Sequence, residues 1–204
     1  MEINISDKYK CIFIHIPRSA GSSIKEALSL PGRGHPTYQY YMKNFPSKWA
    51  FYTKFTVVRN PWDRIVSAYT YAKMWKSYWH NTRMGPHPDY QLIHNKCFEK
   101  CCEILLNQRH LLRHEAWAPQ YFWIMTKKNN DDLLVIDHIL RYENLEDDFL
   151  KLCSAIGIKN LSLPIVNESI REKYTQYHTE KTKKIVETLF FKDIQMFNYT
   201  YDEE

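Results

Sequence analysis

The chain has 204 residues, 44% of them hydrophobic, enough for one full core and a single domain over residues 1–204. Its formal net charge of +5 suits an anionic ligand, and no Lys/Arg run reads as a nucleic-acid arm. No apolar stretch reaches the length of a transmembrane span and the opening MEINISDKYK has no signal-peptide core, so the expectation is a cytoplasmic protein that binds no nucleic acid.

CIFIHI (11–16) is a short apolar run with β-branched residues, which predicts a buried strand. The polar loop PRSAGSS follows it, Ser22 to Leu30 reads as the first helix, and Pro31-Gly32-Arg33-Gly34 stops that helix. FTVVR (55–59) is the second strand and runs into NPWDRIVSAYTYAKMW. There Asn60 can cap, Pro61 suits the first helical position and Asp63 can close a capping box. Residues 80–90 read as a loop, with helical material after it to about Arg113. LLVIDHIL (133–140) is the third strand, and the helix of ENLEDDFLKLCSAIG is capped by Asn144 and ended by Gly157. Residues 179–192 form the last amphipathic helix. Apolar strands alternating with helices predict an α/β fold, a parallel sheet with helices on both faces, whose ligands lie beyond the carboxyl ends of the strands.

Two loops at those strand ends carry anion chemistry. In the first, Arg18 offers a permanent forked charge, Ser19, Ser22 and Ser23 offer hydroxyls, and Gly21 lets the backbone come close to a ligand. An ordinary serine-capped helix would have the same residues. In the second, Arg59 ends a strand, and Ser67 shares a helical face with positions 60 and 63/64, so it points back toward the helix entry. A simple Arg59–Asp63 pair fits those residues equally well. Taken together the loops suggest a ligand with two separated phosphates.

FIHIPRSAGSSI resembles the 5′-phosphosulfate loop of the sulfotransferases that use 3′-phosphoadenosine 5′-phosphosulfate, and FTVVRNPWDRIVSAY resembles their 3′-phosphate motif. The chain is most similar to the carbohydrate branch of that family, with the heparan sulfate 2-O type and its small bacterial relatives. Weaker similarity runs through WAPQYFWI, IDHILRYENLEDDF and KDIQMFNY. The resemblance implies a fold like that of the P-loop nucleotide kinases, a sulfated adenosine donor released as adenosine 3′,5′-bisphosphate, and no metal. It implies that Arg18, Ser19, Ala20, Gly21, Ser22 and Ser23 hold the 5′-phosphosulfate, that Arg59 and Ser67 hold the 3′-phosphate, and that Arg171 and Lys173 fall in a basic loop over the nucleotide. Arg18 stands where the family usually has lysine; it keeps the charge but cannot readily give up a proton. Ile24 follows Ser23, so the adenine-stacking tryptophan of the small-molecule branch is absent, which favours a saccharide acceptor.

Sulfuryl transfer to a hydroxyl needs a base, and histidine titrates in the right range. Of nine histidines, His35 in GRGHPTYQYY lies between the two motifs, where the 2-O branch carries its base within Gly-His; the bland reading is an exposed loop histidine. His15, inside the first strand, is expected to pack rather than to react, and His114-Glu115 could line an acceptor groove. Tyr38, Tyr40, Tyr41 and Trp49 are candidates for a sugar-facing surface. His80, His87 and His94 lack metal-ligand spacing, and five cysteines without C-x-x-C pairing fit reduced thiols. The competing readings are a P-loop kinase, which would want GxxxxGK[ST], a non-catalytic nucleotide-binding module, and a protein-tyrosine sulfotransferase.

Overall fold

A computed structural model describes residues 3–76, 85–129, 131–159, 161–164 and 171–202. They gather into two compact units, one made of residues 1–59 and 120–168, the other of residues 60–119 and 169–204.

The first unit holds the strands β1 (Ile5–Ser6), β2 (Cys11–Ile14), β3 (Thr53–Val58), β4 (Met125–Lys128), β5 (Asp131–Leu134) and β6 (His138–Arg141). The main sheet runs β1-β2-β3-β6: β1 is antiparallel to β2, and β2, β3 and β6 are parallel, with Phe13 opposite Phe55 and Phe55 opposite His138. Helices α1 (Gly21–Ala27), α2 (Tyr38–Asn44) and α3 (Pro46–Phe51) follow β2, and α7 (Tyr121–Ile124) and α8 (Leu145–Ala155) come later in the same unit. On one face of the sheet Cys11, Phe13, Phe55, Val57 and Leu140 bury themselves with Ile24 and Leu28 around α1 and with Phe149 and Leu152 of α8. Ile12, Ile14, Thr56 and Val58, which alternate with them, are buried as well. A strand covered on both faces reads as an unbroken apolar run, which is why CIFI and TVV show no alternation.

The single third strand expected over 133–140 is two strands in two sheets. Residues 131–134 pair antiparallel with β4, and 138–141 join β3 in parallel. Asp137 makes the break: its backbone N–H donates to the Lys54 carbonyl at 2.8 Å, and its carboxylate accepts the Lys54 N–H at 2.7 Å. The first helix is also shorter than expected, since Ser29 turns left-handed at φ +49 and the Leu30 N–H closes back on the Lys25 carbonyl. Asn144 sits at the N-cap of α8, but its amide donates to Asp148 rather than capping; Gly157, at φ +73, ends the helix as expected.

The second unit is helical, with α4 (Pro61–Ala72), α5 (Tyr90–Ile93), α6 (Phe98–Asn107), α9 (Glu180–Leu189) and α10 (Phe191–Phe197). Asn60 caps α4 by accepting the Trp62 N–H at 3.1 Å, and Pro61 takes the first position. Asp63 in the first turn ion-pairs with Arg171. The helix expected over 179–192 is α9, opened by a Thr179–Thr182 capping box, followed by α10 as a separate helix after Phe190.

Candidate active site

In the first unit, β2 delivers the chain into Pro17–Ser23. Arg18 and Ala20 both hold positive φ, +68 and +50, without being glycine. Each such residue costs about 1–3 kcal/mol, and strain of this kind persists where a binding loop requires the shape. Ser19 between them is fully buried, and its hydroxyl has no hydrogen-bond partner among the described residues. A buried polar atom left unpaired is uncommon, and an incoming oxyanion would complete it. Gly21 is dictated by crowding: a Cβ there would lie 1.7 Å from His15 Nε2. Helix α1 has only seven residues, so its field is weak; what the loop offers an anion is its hydroxyls and the cations around it.

Arg59 emerges at the end of β3 and is nearly buried. Gln120, fully buried, grips its backbone from both sides: the Arg59 N–H donates to Gln120 Oε1 at 2.9 Å, and Gln120 Nε2 donates to the Arg59 carbonyl at 2.8 Å. The guanidinium lies 3.7 Å over the Tyr142 ring, and Nη1 donates to the Arg18 carbonyl at 3.0 Å. The two arginines read from separate motifs are thereby joined in one place. A planar, permanently charged fork stacked on an aromatic face is well suited to phosphate, because its direction is fixed before the ligand arrives. Lys25, on α1, donates to the Gly32 carbonyl at 2.5 Å. Burial and then the neighbouring Arg33 charge depress its pKa.

His35 is half-buried in the loop before α2. Its carbonyl accepts from Trp123 Nε1 at 2.9 Å, and its ring stands 4.3 Å from the His15 ring at an interplanar angle of 61°. His15 lies just past β2, stacked on Phe13 at 5.3 Å, with its Nε2 edge against Gly21. Burial holds its imidazole well below the usual histidine range, helped by the His35, Lys25 and Arg18 charges, so the ring is neutral. The structure thus brings the expected base to the expected anion loop through a histidine read from sequence as mere packing.

Ser67 is fully buried in α4 of the second unit, Arg171 is held there by Asp63, and Lys173 is exposed. Tyr38 and Tyr41 are not sugar-facing surface: both are buried, and Tyr41 donates to the Phe13 carbonyl. His114 is likewise no groove residue. Its N–H, the Arg113 N–H and Trp117 Nε1 all donate to the buried Asp89 carboxylate, with His87 packed 4.7 Å from the His114 ring. His80 lies outside the described residues. All five cysteines are free thiols. Gln120 and Tyr142 escaped the sequence reading; the only sequence signal was that both lie in stretches sharing the weaker family resemblance.

A family model described as the sulfotransferase family matches residues 1–200. No curated protein and no solved structure matches the chain.

Proposed function

The chain belongs to the sulfotransferase family, and we propose that it transfers a sulfuryl group from 3′-phosphoadenosine 5′-phosphosulfate to a hydroxyl of a carbohydrate. The donor's two phosphate ends suit the site: an orphaned buried hydroxyl at Ser19, a glycine pressed against a ring at Gly21, and two arginines in contact are what an oxyanion would complete. In this reading Arg18, Ser19, Ala20, Gly21, Ser22 and Ser23 hold the 5′-phosphosulfate and Arg59 takes the 3′-phosphate. The family resemblance adds Ser67, Arg171 and Lys173 to the nucleotide's contacts. The saccharide acceptor is supported by the same resemblance and by Ile24 standing where a stacking tryptophan would mark the small-molecule branch.

His35 accepts the hydroxyl proton as the acceptor oxygen bonds to sulfur and the sulfur–oxygen bond to the nucleotide phosphate breaks. The bridging oxygen leaves with the adenosine bisphosphate, and Arg18 offsets the charge that develops on it. Because arginine keeps its proton, that help is electrostatic. Arg59, its backbone clamped by Gln120, aligns the donor by holding its far end, so the reacting atoms meet without a search. A cytoplasmic location is proposed on the five free thiols, which suit a reducing compartment.

The observation that carries the reading is the contact chain from His35 through His15 to Gly21. Replacing His35 with alanine should abolish turnover while adenosine 3′,5′-bisphosphate still binds. Unchanged turnover would remove His35 from the mechanism. Binding by a wild-type protein that transfers nothing would favour a nucleotide-binding module. Transfer to tyrosine peptides in preference to saccharides would correct the acceptor.

A further inference from the structure

His15 was expected only to fill space, yet its surroundings are unusual for a core ring. Four rings form a ladder out of the sheet: Phe55 on Phe13 at 5.1 Å, Phe13 on His15 at 5.3 Å, and His15 on His35 at 4.3 Å. Both phenylalanines are fully buried in the main core, so the lower rungs cannot shift without opening it. His35, by contrast, lies in a loop whose neighbour Gly34 has φ +106, and loops of this kind do not hold a side chain to catalytic tolerance unaided. Trp123 Nε1 bonds the His35 carbonyl, and the His35 ring meets the His15 ring edge-on.

The Nδ1 of His15 is buried with no hydrogen-bond partner among the described residues, so ring contacts rather than hydrogen bonds are what its side chain supplies. Its other edge sits where any side chain at position 21 would have to go. His15 therefore touches both the anion loop and the ring expected to take the proton.

We propose that His15 is a positioning residue that fixes the His35 imidazole relative to the Arg18–Ser23 loop. This rests on His35 being the base of a sulfuryl transfer. Orientation sets the base within reach of the acceptor hydroxyl, and the neutrality of His15 matters as well: a charged ring beside His35 would oppose its taking up a proton. The groups that face His15 are His35 from the loop, Lys25 from α1 and Arg18 from the anion loop, all of which favour its uncharged form.

The test uses the full chain with His15→Ala, His15→Phe and His15→Gln. In His15→Ala, kcat should fall about a hundredfold, the scale of an ångström-sized misplacement, while the bisphosphate Kd stays within about threefold. His15→Phe, which keeps the ladder, should recover most of that kcat, and His15→Gln should not. The acid limb of the pH–kcat profile should shift in His15→Gln, a change that simple loosening of the core would not produce. Should His15→Ala fail to fold, the phenylalanine and glutamine variants decide alone. Equal, wild-type turnover in both, or a loss matched by an equal loss of nucleotide affinity, would overturn the proposal. NMR titration of the His35 ring in wild type and His15→Gln separates this from the functional reading. An inactive wild type overturns the enzyme assignment, whereas His35 ring signals indifferent to residue 15 overturn the positioning role.

Discussion

Replacing Arg59 with alanine removes three interactions at once, and their sizes can be set apart. The bond from Nη1 to the Arg18 carbonyl contributes about 1 kcal/mol net. The stack on Tyr142, in a nearly buried setting, contributes ~0.5–2 kcal/mol. Together these amount to about 1.5–3 kcal/mol, which for a chain of this size lowers Tm by roughly 3–12 °C. The third loss is the charge offered to the nucleotide: a charged hydrogen bond contributes about 1.5–3 kcal/mol, so the Kd for adenosine 3′,5′-bisphosphate should rise roughly tenfold to 150-fold. Calorimetry well below the variant's Tm measures the affinity free of the stability loss. Lysine at the same position keeps the charge but loses the fork and the flat stack, and should fall between the two. Unaltered affinity in a folded Arg59→Ala protein would refute the assignment of this residue to the nucleotide.

Three further outcomes can be checked. Gly21→Ala places a methyl group inside the His15 ring, so it should destabilise the fold by about 1–3 kcal/mol in a urea titration and reduce turnover by displacing that ring. Gln120→Leu strands the buried N–H and carbonyl of Arg59, at about 1–3 kcal/mol for each group left unpaired; denaturation should show the loss, with weaker bisphosphate binding beside it. His178, half-buried and bonded to the Trp62 carbonyl, has its pKa pushed down from 6.5 to about 4, chiefly by burial. Between those values the unfolded chain binds the proton that the folded one refuses, so stability should fall as pH drops through this window and be indifferent to this ring above it. Thermal melts across pH 4–7 should show that slope, and His178→Gln should flatten it.

The parts of the fold readable from sequence were those in which one local rule decides the outcome. The buried strands β2 and β3 announce themselves as apolar runs, and Asn60-Pro61 marks the start of α4 because cap and ring geometry act within two residues. The failures came from decisions made at long range. Asp137 splits an apolar run because Lys54, 83 positions away, offers it a matching N–H and carbonyl, and nothing in LLVIDHIL reports that partner. At the site, Arg18 and Arg59 were legible because each sets a permanent forked charge in a loop at a strand end, within a stretch that resembles a family motif. Gln120 was not, since an amide clamping a backbone looks like any other polar residue until the chain folds. His15 was misjudged for a related reason. Its packing was foreseen, but its two neighbours, Gly21 and His35, are adjacent to it only in space.

The central claim is that this site moves sulfur from nucleotide to hydroxyl, and incubation with 3′-phosphoadenosine 5′-phosphosulfate labelled on its sulfur tests it most directly. Offered saccharides, small alcohols and tyrosine peptides side by side, the wild-type protein should place the label on a saccharide and release one adenosine bisphosphate for each group transferred. Label that stays on the nucleotide with every acceptor would contradict it.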